Sequence, residues 1–243
     1  MQTHDTDHIP ATSEQLAIFT GEIALAVAKA KPSFAHMQQL LGSKAATRRA
    51  LTAALKSLEI ASGPDPRLVY SQQLWAKLGL PLDILGDLTM PEIPDGWAGV
   101  AIIPPFSREA LFALCVKHFP SWKYYNNLDD IAEEQDRPKR PYVIGHRGGI
   151  EPDIEHRNKG YDTSVKEGLI FLTQKERICI ELLHFVATGD HLDKVGVTVT
   201  SSLAPDGHAF VAYWYLDGRR FHVHGCHRRA AGSAYGPRQA VYA

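Results

Sequence analysis

Three stretches of the chain carry side chains that could do chemistry. The first is His222-Val223-His224-Gly225-Cys226-His227. Side chains alternate along a strand, so His222 and His224 share one face. Two imidazoles with a thiolate at Cys226 form a donor set that suits zinc, and a His-x-His pair also serves metal-dependent nucleases. The plain alternative is a pair of histidines on the exposed face of an edge strand, which a chain with twelve histidines produces easily.

The second stretch is Gly145-His146-Arg147-Gly148-Gly149-Ile150-Glu151-Pro152-Asp153. It follows a short apolar run that reads as a strand, and strand ends are common ligand sites. Adjacent glycines permit a tight turn or a close backbone approach. Arg147 could clamp a carboxylate or phosphate with two parallel hydrogen bonds. Glu151 and Asp153 could act as a base or as metal ligands. The alternative is a turn closed by an ion pair from Arg147 to Glu151 or Asp153. Neither the phosphate-loop spacing nor the dinucleotide glycine pattern is present.

The third stretch lies near the N-terminus. Leu40-Leu41-Gly42 ends a short helical pattern, and Lys44 opens another through Thr47-Arg48-Arg49-Ala50-Leu51. This helix-turn-helix-like spacing resembles winged-helix DNA-binding proteins, whose second helix presents its first residues to base edges. Lys44, Thr47, Arg48 and Arg49 would face the duplex, and the cations would neutralise phosphates. The alternative is a helical hairpin with a solvated basic face.

The elements that must position these groups fall into two parts, with a boundary expected near residue 96. Residues 1–96 read as a helical N-terminal module followed by a Pro-rich connection. Thr12 and Gln15 have capping-box spacing, and Leu16, Phe19, Ile23 and Val27 then repeat at three and four residues. A short helix is expected at about 72–78. Residues 97–243 read as an α+β domain. Gly99–Ile103 reads as a buried strand, and Ser107 caps a helix through His118. The charge-dense run 129–140 reads as a solvated helix end and loop. Thr173 and Glu176 form a capping box ahead of a helix that Gly189 ends. Two Asp-Gly turns, at 206–207 and 217–218, separate β-branched and aromatic runs and predict an antiparallel three-strand meander packed on that helix. Tyr213 and Tyr215 fall on one face of the middle strand and Trp214 on the other. They offer a stacking platform for bases or sugars, or else a sheet core.

The runs Gly189–Asp193, Val197–Ser202, Asp206-Gly207, Tyr213-Trp214, Phe221–Val223 and Pro237–Val241, with Phe119–Tyr124 and Asn127–Asp129 upstream, resemble a family of uncharacterised bacterial proteins. The resemblance spans about 119–243. It implies a shared fold for that half and no mechanism.

Composition bounds the rest. The 243 residues are 44% hydrophobic and 22% charged with a formal net charge of −1, so disorder and a global basic field are both excluded. Three distant cysteines make a poor disulfide framework. Cys115 and Cys179 fall on apolar helix faces and read as core. The polar first ten residues lack the pattern of a secretory signal, and no apolar run could span a membrane, so a cytoplasmic location without membrane contact is expected. There is no nucleophile elbow and no kinase motif set. The sequence thus points to a non-enzymatic DNA-associated or protein-interaction protein, with duplex DNA or another protein as partner and no cofactor. The alternative is a metal-dependent hydrolase or nuclease built on His222, His224 and Cys226. Oligomeric state is left open.

Overall fold

The computed structural model describes residues 65–243. The expected N-terminal helices, with Lys44, Thr47, Arg48 and Arg49, lie outside the described residues. The fold is α+β, with two sheets and four α-helices among those residues.

Helix α1 spans Pro66–Lys77. It starts six residues before the expected helix because Asp65 caps it, accepting from Arg67 N at 2.8 Å, and proline suits its first turn. Helices α2 (Arg108–His118), α3 (Tyr161–Lys166) and α4 (Gln174–Thr188) follow. Ser107 caps α2 through Ala110 N at 3.1 Å. In α4 the Thr173–Glu176 capping box closes reciprocally, at 3.2 and 2.7 Å, and Gly189 ends the helix at φ 73°.

The smaller sheet is antiparallel, with β1 (Gly99–Ile103), β4 (Tyr142–His146) and β9 (Ala240–Tyr242) in the order β1-β4-β9. Trp75 of α1 is fully buried against it and donates its indole N–H to Ile102 O at 2.9 Å. The larger sheet takes β2 (Ser121–Lys123), β3 (Glu133-Glu134), β5 (Val197–Leu203), β6 (Ala209–Tyr215), β7 (Arg220–Cys226) and β8 (Tyr235–Pro237). Its order is β2-β7-β6-β5-β3, with β8 alongside β5. The expected meander is β5-β6-β7. It is widened by a parallel pairing of β2 on β7 and by β3 and β8 on the other edge. Strand β7 is therefore internal, not the edge strand that the plain reading of its histidines assumes.

Helix α4 is the hub. Ile178, Leu182 and Cys179 share one core with Ile102, Ile103 and Ile144 of the small sheet and with Phe210, Phe221 and Val223 of the large one. An element covered on several sides buries polar residues too, and these must be paired. Arg177 and Glu181 are fully buried and joined at 2.8 Å. Arg177 Nε also reaches Asp193 at 2.9 Å, Arg238 reaches the other Asp193 oxygen, and Thr198 Oγ1 donates to Asp193 at 2.5 Å. Two guanidinium groups and two carboxylates thus neutralise one another inside the domain and lock α4 to β5 and to the C-terminal strands.

The run 129–140 departs from the expected solvated loop. Glu133-Glu134 pairs with β5, and Arg137, nearly buried, holds Glu176 at 2.7 Å with its guanidinium 4.5 Å from the Tyr242 ring. Charge density hid this because the partners of Glu134 and Arg137, namely Arg108, Ser202 and Glu176, come from distant sequence.

Candidate ligand groove

The large sheet has two faces. Phe210, Ala212, Phe221 and Val223 turn inward to α4. Val199, Ala209 and Val211 turn outward and are covered by Tyr161, Leu169 and Phe171. That cover does not extend over the β2-β7-β6 half. There the next outward side chains are Tyr213, Tyr215, His222, His224 and Trp122, brought level because Tyr213 pairs with His222 and Trp122 with His222 in register. Trp214 points the other way, stacked on His191 with ring centroids 3.4 Å apart.

A groove of about 440 Å³ runs over this half, lined by Trp122, Tyr124, Tyr213, His222 and His224 and reaching Tyr125, Asp206, His208 and Gly225. His222 is its centre. Trp122 lies 4.8 Å from it, Tyr215 5.0 Å and Tyr213 5.5 Å, centroid to centroid. Trp122 is 37% exposed and Tyr124 66%, whereas His222 is 8% exposed. Arg220 Nε donates to His222 Nε2 at 2.8 Å, and its guanidinium lies 5.8 Å from the Trp122 ring. Accepting that bond leaves the His222 proton on Nδ1. Burial, then the Arg220 charge, pushes His222 down to about 4, so the ring is neutral at physiological pH. His224 donates from Nδ1 to Gly225 O at 2.9 Å.

The far end is built by the β5–β6 turn. Asp206 accepts from Tyr125 Oη at 3.1 Å and from His208 N at 3.1 Å. Tyr125 crosses directly over Gly225, where a Cβ would come within 2.1 Å of its hydroxyl. His227 continues the line, 6.4 Å from His208. Cations flank this face: Arg219 precedes the strand, Arg220 opens it, and Arg228 and Arg229 follow it. Asp162 pairs with Arg228, and Arg229 remains largely exposed.

The expected metal set does not converge on one point. Strand alternation places His222, His224 and Cys226 on one face, but His222 Nε2 is engaged by Arg220, and Cys226 packs towards Val199 and Tyr235 with its thiol pushed up to about 11 by burial. Among the described residues no group of three or more His, Cys, Asp or Glu is arranged to hold a metal ion.

Arg147 and Asp153 stay together as the ion pair of the plain reading, and Glu151 is parted from them. Arg147 lies 3.5 Å from Asp153 and 2.5 Å from Glu155, beneath Trp97. Asp153 accepts from Gln239 N at 2.7 Å. Glu151 turns away and takes the backbone N–H groups of Lys194, Val195 and Gly196 at 3.1, 3.1 and 2.6 Å. The segment clamps two loops to the C-terminal strands.

Trp122, Tyr124 and His208 belong to the groove, but their local sequence does not announce it. The aromatic run Trp122-Lys123-Tyr124-Tyr125 was the available signal, but its pairing with β7 joins segments about a hundred residues apart. No helix among the described residues is long and apolar enough to cross a membrane. No protein-family model, no curated protein and no solved structure matches the chain.

Proposed function

We propose that the chain is a non-enzymatic nucleic-acid-associated protein whose C-terminal domain binds single-stranded nucleic acid on the open half of the large sheet. The observation that carries this reading is the cluster of Trp122, Tyr124 and Tyr213 around a neutral His222 in one groove, with Trp122 and Tyr124 exposed and with Tyr215 and Arg220 beside that imidazole. Aromatic faces on a sheet accept unstacked bases of any sequence, and neighbouring cations follow the backbone.

Intrinsic fluorescence tests it. Trp75 is fully buried, Trp97 is 7% exposed and Trp214 faces away from the groove, stacked on His191, so a base stacked in the groove acts on Trp122. Oligothymidine should quench saturably and less tightly as salt rises. Quenching by a neutral disaccharide with no response to the oligonucleotide would overturn the reading in favour of a sugar site. Duplex DNA of the same composition, with and without Lys44→Gln and Arg48→Gln, tests the N-terminal residues Lys44, Thr47, Arg48 and Arg49 as a second contact.

A further inference from the structure

The opposite edge of the large sheet holds a second cleft, of about 350 Å³, where β3, the start of α2 and the start of α4 meet. Arg108, Arg137, Lys139 and Lys175 line it, against the carboxylates of Glu134 and Asp136. Two of those cations are already satisfied. Arg108 holds Glu134 at 2.5 Å, and Arg137 holds Glu176 at 2.7 Å, where Tyr142 Oη also donates at 2.9 Å. The second Glu134 oxygen accepts from Ser202 Oγ. Asp136 accepts from the backbone N–H of Arg137 at 3.0 Å.

Two cations are left over. Lys175 and Lys139 make no ion pair or side-chain hydrogen bond among the described residues, and Lys175 is half-buried. Arg108 Nε is buried there without a partner as well. A partly desolvated ammonium without a direct ion pair is unfavourable, and burial pushes Lys175 below the ordinary lysine range against the opposing pull of Glu134 and Glu176. An anion entering the cleft would offset that cost. Two lysines act as point charges, the usual form of lysine recognition of phosphate, and the volume lies within the range of small-ligand sites.

We propose that this cleft binds the phosphate group of a small ligand, with Lys175 as its principal contact and Lys139 closing over it. The site is separate from the stacking groove, so either can fail without the other. Inorganic phosphate is the probe, titrated into the full chain against chloride at matched ionic strength, with the thermal midpoint as readout. A saturable rise is expected for phosphate and not for chloride. Lys175→Gln should abolish it, and Lys139→Gln should weaken it by less. Phosphate should also slow acetylation of Lys175 in the unaltered chain, read by peptide mass spectrometry, which keeps the test independent of how the variants fold. No saturation by phosphate, a rise that survives Lys175→Gln, or unchanged labelling of Lys175 would each overturn the proposal.

Discussion

Asp193 is the residue on which the buried charge network turns, and Asp193→Asn isolates its charge. The side chain is fully buried and accepts from Arg177 at 2.9 Å, from Thr198 at 2.5 Å and from Arg238. Its backbone is left-handed at φ 56°, a conformation asparagine tolerates, so the substitution changes charge with little change in shape or strain. It leaves Arg177 with Glu181 but strips Arg238 of its only carboxylate, one uncompensated positive charge in the core. Breaking a buried pair from one side costs about 3–5 kcal/mol, a large share of the roughly 5–15 kcal/mol that holds a domain together. For a domain of this size that corresponds to a fall in midpoint of about 6–20 °C. Thermal and urea unfolding read it. Asp190→Asn is the control, because that carboxylate pairs with Lys194 on the surface and should leave the midpoint where it is. Adding Arg238→Met to Asp193→Asn should restore part of the loss by removing the stranded charge. A loss below about 1 kcal/mol for Asp193→Asn would refute the picture of two guanidinium groups neutralised inside the domain.

Thr173→Ala removes the α4 cap and should cost about 1–2 kcal/mol in urea unfolding; an unchanged midpoint would show that Glu176 alone closes that end. His222 is held at about 4, and His146 is pushed down by burial to about 3. The unfolded chain therefore binds more protons than the folded one below the ordinary imidazole value of about 6.5. Stability should be complete above that pH and fall as pH drops from about 6.5, through about 4 for His222 and about 3 for His146. Imidazole NMR should show both rings neutral at pH 5, and either ring titrating near 6.5 would contradict the burial that sets its environment.

What the sequence revealed was local. The capping box, the Ser107 cap, the terminating Gly189 and the turn at Asp206-Gly207 each act within a few residues, and each stands where the pattern put it. The alternation of Tyr213, Trp214 and Tyr215 was legible too. It divides the strand into a face towards α4 and a face towards the groove. Long-range pairing was not legible. Strand β2 is three residues long and finds β7 in parallel, and β9 returns from the C-terminus to β4. Nothing in a three-residue run announces its partner. Buried charge misled for the same reason. Arg137 reads as a surface residue until Glu176 arrives from distant sequence, and nothing local marks Arg177, Glu181 and Arg238 as buried. The groove inherits both difficulties, because its floor is β7 and its most exposed indole belongs to β2.

The central claim is that the open sheet face binds unstacked bases. Its most direct test is the affinity of a labelled oligothymidine, by fluorescence anisotropy at low and high salt, for the wild-type chain and for Trp122→Ala. Loss of one stacking partner should weaken binding by about 1–3 kcal/mol, roughly 5- to 150-fold, with the salt dependence retained. An affinity unchanged by Trp122→Ala, or one indifferent to salt, would contradict it.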